Sequence, residues 1–89
     1  MPYDVLVSRE VKEFMSREAD EQAWLDFNEA IESIMRDSTE GNPRVVRVSQ
    51  GYGYELNEFA VGYGVVTLIF EPMNLDVVEV ISVALRPRP

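Results

Sequence analysis

The run DSTEGNP, residues 37–43, divides the chain into two segments with different patterns of apolar residues. Before it, apolar residues recur every three or four positions, as on one face of an amphipathic helix. After it, short apolar and aromatic runs alternate with glycine-containing turns, as in β-strands. Helices followed by strands predict an α+β fold, because both kinds of element bury their apolar faces against each other.

Two helices are predicted before this run, over residues 9–17 and 20–37. In the first, Val11 and Met15 repeat at helical spacing. The stretch SREADEQ, residues 16–22, has almost no apolar content and interrupts the pattern, which then resumes. No glycine or proline forces this break, so one continuous helix remains the alternative.

Residues that favour helix ends flank both helices. Ser8 is a good N-cap for the first helix. At the end of the second, Gly41 suits the left-handed position beyond a helix, and Pro43 prevents continuation. The core is expected to include Trp24 and Phe27, which lie at helical spacing.

One strand precedes the helices and three or four follow, over residues 3–7, 44–49, 52–59, 65–70 and 77–85. Short turns between consecutive strands predict an antiparallel meander. The predicted fold class is a two-layer α+β domain in the order β-α-α-β-β-β(-β), with an antiparallel sheet covered by a two-helix hairpin. Residues 1–89 form one domain, since no linker or repeat divides them.

The composition removes several kinds of catalytic site. The chain has no cysteine and no histidine, which are common metal ligands and, in the case of histidine, the usual group for proton transfer near neutral pH. Catalysis would depend on carboxylates, arginines, tyrosines or the single lysine, Lys12. We therefore expect no metal site and no cofactor.

The charge of the chain disfavours nucleic acid as a ligand. The net charge is −8, and residues 1–40 hold eleven acidic and four basic residues, against five and four in residues 41–89. Binding to nucleic acid draws mainly on attraction between Lys or Arg and phosphate. Only a local basic cluster in the second half could hold a polyanion.

The first ten residues, MPYDVLVSRE, lack the basic and apolar runs of a signal peptide. No apolar stretch approaches the length of a membrane-spanning helix. We therefore expect a cytoplasmic protein without a membrane partner.

Besides the order of helices and strands, two short sequence motifs characterise the second half of the chain. The pair Gly62-Tyr63 opens the apolar strand GYGVVTLIF, and the closing strand VVEVISVALRPR ends in basic residues. With the preceding strand and helix pair, these motifs resemble the RelE/ParE toxin superfamily of bacterial toxin–antitoxin modules over nearly the whole chain. The resemblance implies that the chain has the RelE/ParE fold and is a divergent member of the family.

RelE-type members are ribosome-dependent nucleases that need lysine or arginine side chains to stabilise the charge that builds on the scissile phosphate. At the positions that resemble their basic residues, this chain carries Glu55, Asn57 and Phe59, and Gly64 stands where an arginine usually follows Gly-Tyr. A carboxylate beside the phosphate would add a repulsion of about 1 to 4 kcal/mol. We expect no catalytic residues, with Arg86 as the residual candidate.

Seven residues are candidates for binding. Arg44 with Arg47, and Arg86 with Arg88, could contact an acidic partner or a phosphate. The alternative for Arg44 and Arg47 is that they form surface ion pairs. The alternative for Arg86 and Arg88 is that they belong to a frayed terminus. The tyrosines could anchor a partner or lie half-buried in the sheet. Phe59 lies either in the core or in an exposed patch near a hairpin turn. The candidates are Arg44, Arg47, Tyr54, Phe59, Tyr63, Arg86 and Arg88.

The function expected from these features is protein–protein binding without nuclease activity. The resemblance implies a protein partner, such as an antitoxin-like segment; nucleic acid and the ribosome are not expected, and self-association is left open. The alternative is an active toxin, either a weak ribosome-dependent mRNA endoribonuclease or a ParE-like gyrase inhibitor.

Overall fold

The computed structural model describes residues 4–39, 41–51, 54–61, 66–72 and 76–86. It is a small α+β fold with two helices and a five-stranded sheet, and the bounds agree with the predicted ranges to within two residues at each end. Of the three or four strands predicted after the helices, all four are present. The elements are β1 (Asp4–Val7), α1 (Arg9–Glu18), α2 (Glu21–Arg36), β2 (Val45–Gly51), β3 (Tyr54–Val61), β4 (Val66–Pro72) and β5 (Val77–Leu85).

Side-chain caps begin both helices and separate them. The Val11 N–H donates to the Ser8 hydroxyl at 3.3 Å, which confirms the predicted N-cap. Ala19 and Asp20 are extended, and the Asp20 carboxylate accepts from the Ala23 N–H at 2.8 Å. The prediction of two helices is confirmed, because Asp20 satisfies a backbone donor that an uninterrupted helix would pair internally.

A hydrogen-bonded loop joins α2 to β2. The Asp37 carboxylate accepts from the N–H and the hydroxyl of Thr39, at 2.9 and 2.6 Å. The Asn42 side-chain amide donates to the Ser33 hydroxyl at 3.0 Å and to the Asp37 carbonyl oxygen at 3.1 Å. These bonds tie the last turn of α2 to the start of β2.

Gly41 has a different role from the predicted one. Its backbone does not adopt the left-handed conformation, so that prediction is wrong. A Cβ at Gly41 would instead lie 2.9 Å from Asp37 Oδ2 and 3.2 Å from Thr39 Oγ1. Glycine suits this position because the loop folds back on these two side chains.

The strand order is β1-β5-β4-β3-β2, and the sheet is mixed. Strands β2 to β5 form the predicted antiparallel meander. The prediction of a wholly antiparallel sheet is wrong, because β1 pairs with β5 in parallel. Short turns set the directions of β2 to β5, whereas β1 is joined through two helices to β2, at the opposite edge, so no turn fixes its direction.

The core lies between the helices and one face of the sheet. Alternation along the strands brings their buried side chains to the same face. Phe27 belongs to this core, whereas Trp24 lies at its border, 37% exposed, with its ring edge-on to Phe27 at 5.8 Å. The buried apolar residues are Val11, Met15, Ala23, Phe27, Ala30, Ile34, Val45, Phe59, Val66, Leu68, Phe70, Val78 and Val80.

Phe59→Ala should lower the free energy of unfolding by about 3 to 5 kcal/mol, because it leaves a cavity beneath the helices. Val46→Ala, on an exposed side chain of β2, should change it by less than about 0.5 kcal/mol. Urea denaturation of both variants measures the difference. Similar losses in the two would contradict the core assigned here.

The bonds from Thr39, its hydroxyl first and its N–H second, lower the pKa of Asp37 below the ordinary value of 3.8. A carboxyl whose pKa is lower in the folded protein stabilises it above its unfolded pKa, and the effect is lost as the pH falls through the folded pKa. Wild-type protein should therefore lose more stability than Asp37→Asn between about pH 5 and about pH 3. Urea midpoints across this range test the difference, and parallel curves would contradict it.

Candidate functional site

Helices α1 and α2 cover one face of the sheet, and the residues that alternate with the core side chains lie on the other. We call this second face, among the residues that the structure describes, the open face. Strand register and burial assign its members. They are Asp4, Leu6, Val46, Glu58, Ile69, Val77, Glu79, Ser82 and Ala84.

Large apolar side chains lie exposed on the open face. Leu6, on the edge strand β1, is 49% exposed, and Val46, on the opposite edge strand β2, is 57% exposed. Ile69 lies between them on β4 and is half-buried. Apolar side chains therefore lie at both edges of this face and on β4 between them.

Acidic residues lie between these apolar side chains on the open face. Glu58 lies directly between Val46 and Ile69 in the register, and Glu79 lies directly beside Leu6. Both glutamates are half-buried. None of the open-face residues defined above is basic, so carboxylates determine the charge of this face.

The structure does not bring the candidate arginines of β2 and β5 together. Arg44, just before β2, is exposed and forms an ion pair with Glu29 of α2 at 3.6 Å, and Arg47 is exposed within β2. Arg86 is exposed directly after β5. Two strands separate β2 from β5, which places these two strands about 14 Å apart.

The aromatic candidates have different outcomes. Phe59, in β3, is fully buried, so it belongs to the core and not to an exposed patch. Its ring is therefore not available on the surface. Residues 59–61 belong to β3 and not to a hairpin turn. Tyr54 begins β3, opposite Gly51, and its side chain is outside the described part. Tyr63 and Arg88 lie outside the described residues.

The groove along α1 has a volume of about 390 Å³ and is lined by Lys12, Glu13, Ser16 and Arg17. These residues all lie on the exposed side of one helix, and the Ser16 hydroxyl donates to the Lys12 carbonyl oxygen at 2.9 Å. In the described part of the chain, no buried side-chain nitrogen or oxygen lacks a hydrogen-bond partner. Among the described residues that line it, the groove therefore offers no buried, unpaired polar group for a ligand.

Two polar side chains, those of Asp26 and Ser38, are buried in the described part of the chain. Asp26, buried in α2, accepts from Gln22 Nε2 at 3.0 Å. Among residues 4–39, 41–51, 54–61, 66–72 and 76–86, no group of three or more carboxylates could hold a metal ion. Within those ranges, neither helix is both long and apolar enough to cross a membrane.

Sequence reasoning missed the open face as a site, although one signal indicated it. Glu58 and Glu79 lie in strands that are otherwise largely apolar. A strand covered on both faces reads as a nearly continuous apolar run, whereas a charged residue in phase with the exposed positions indicates a face open to solvent.

Comparison with models of known protein families, with curated proteins and with solved structures gave no match for this chain.

Proposed function

We propose that this chain is a protein-binding domain whose contact surface is the open face. The exposure of Leu6 and Val46 on that face carries the proposal, because these side chains gain from leaving water only when a partner covers them. Each would contribute about 1 kcal/mol if half of its apolar surface became buried in a complex.

The distribution of charge supports a protein partner over nucleic acid. The net charge is −8, and the open face carries Asp4, Glu58 and Glu79. A polyanion would approach these carboxylates without a compensating group of cations, since Arg44 is paired with Glu29 on the helix side. Attraction to phosphate, which supplies most non-specific binding, is therefore weak.

We further propose that the domain is a RelE/ParE-like protein without nuclease activity, located in the cytoplasm. The order of one strand, two helices and four strands agrees with what the resemblance implies. The burial of Phe59, at a position where the resemblance implies a basic residue in active members, supports the loss of catalysis. A partner segment of the antitoxin kind would fit a protein-binding role.

Affinity capture from native cells should recover a partner that depends on the open face. The double variant Leu6→Ser with Val46→Ser should reduce its recovery at least about tenfold, because polar side chains remove the gain from burial. The control, Leu25→Ser with Met35→Ser, changes two exposed apolar residues of α2 and should retain it. Quantitative mass spectrometry measures recovery, and equal losses in both variants would contradict a role for the open face.

Purified protein, added to ribosomes translating a defined messenger RNA, should cause no cleavage above the ribosome-only background. Transition-state stabilisation by one positioned cation is worth about 3 to 4 kcal/mol, and Arg86 lies two strands away from the candidate arginines of β2. Primer extension measures the cuts. Efficient cleavage that Arg86→Ala abolishes would show instead an active toxin of the nuclease type.

A further inference from the structure

The charge of the open face points to the chemistry of its partner. Glu58 lies between two apolar residues in the register, Val46 and Ile69, so a covering chain would desolvate its carboxylate. Burying an ionised carboxylate is unfavourable unless a cation pairs with it. We infer that the open face binds a basic amphipathic helix of a partner protein; this inference rests on the proposed function.

The dimensions of the face fit a single helix. Five strands at about 4.8 Å spacing give a width of about 19 Å, and seven residues at about 3.3 Å give a length of about 23 Å. A helix of about 14 residues is about 21 Å long, so when it lies across the strands it spans the width of the sheet from β1 to β2.

The edges of the sheet are poor templates for adding a partner strand. Within the described residues β1 spans four, Asp4–Val7. β2 changes register between Arg47 and Ser49, so Val48 is an extra residue that interrupts the ladder. Short edges and bulges oppose strand addition. A partner therefore gains more by lying across the face than by extending the sheet.

Charge also decides against a second copy as the occupant. Each chain carries a net charge of −8, and two open faces brought together would oppose the acidic groups Asp4, Glu58 and Glu79 on both sides. Like charges across an interface disfavour binding. A helix with an apolar stripe flanked by Lys and Arg would instead cover Leu6 and Val46 and pair with the glutamates.

Selection from a displayed library of random 16-residue peptides tests this chemistry with the intact chain as bait. The enriched peptides should combine apolar residues at helical spacing with Lys or Arg, and their affinity should fall with added salt. Glu58→Lys with Glu79→Lys should weaken binding at least about tenfold. Glu58→Gln with Glu79→Gln, which is closer in shape, should weaken it less but in the same direction.

The control, Glu10→Lys with Glu32→Lys, makes the same change in net charge on exposed helix positions and should alter affinity less than about twofold. Circular dichroism and urea midpoints verify that each variant folds. Enriched peptides that are acidic or neutral, or that respond equally to the control, would overturn the basic partner.

The two proposals fail in different ways. Peptides that depend on Leu6 and Val46, but not on Glu58 and Glu79, would retain the open face as a protein-binding surface and overturn only the basic helix. Peptides that are insensitive to all four positions, or no enrichment above an unrelated control domain, would overturn both. Gel filtration showing a dimer that Val46→Ser dissociates would identify a second copy as the occupant.

Discussion

The structure depends on the burial of one face of a five-stranded sheet under two helices. Phe59, Leu68 and Phe70 from the sheet meet Met15 and Ile34 from the helices, and all five are fully buried. A chain of this length can form only one such core, since it buries roughly 60–65% of the surface that its unfolded form exposes. The two helices are used on this face, which leaves the other to solvent or to a partner.

The parallel pairing of β1 with β5 completes this arrangement. β1 begins the chain's path at one edge, the helices cross over the sheet, and the meander returns from the far edge to pair β5 with β1. The Ser8 N–H then donates to the Val80 carbonyl oxygen at 3.0 Å, so the N-cap of α1 is anchored directly to β5. This anchor positions Val11 and Met15 over the sheet and fixes which face they cover.

The open face follows from the same pairing, since each residue next to a core residue in a strand has its side chain on the opposite side. Val45 is buried and Val46 exposed, and Phe59 is buried while Glu58 faces outwards, half-buried. Apolar and acidic side chains therefore share one surface. The described residues of this surface include no cation that could stabilise charge on a phosphate, which is why we propose a protein and not a nucleic acid as its ligand.

The sequence by itself determined the elements. Helical periodicity, the Ser8 cap and the glycine-marked turns are local signals, and they predicted two helices and the strands to within two residues. Neighbouring strands joined by short turns also had to be antiparallel. These properties depend on residues close together in the chain.

Only the tertiary structure decided the direction of β1, the burial of Phe59 and the separation of Arg44 from Arg86. Each depends on how distant strands are ordered and registered, and a shift of one residue would exchange the buried and exposed faces of a strand. The open face is decided at the same level, because its residues come from all five strands, whose register no local pattern specifies.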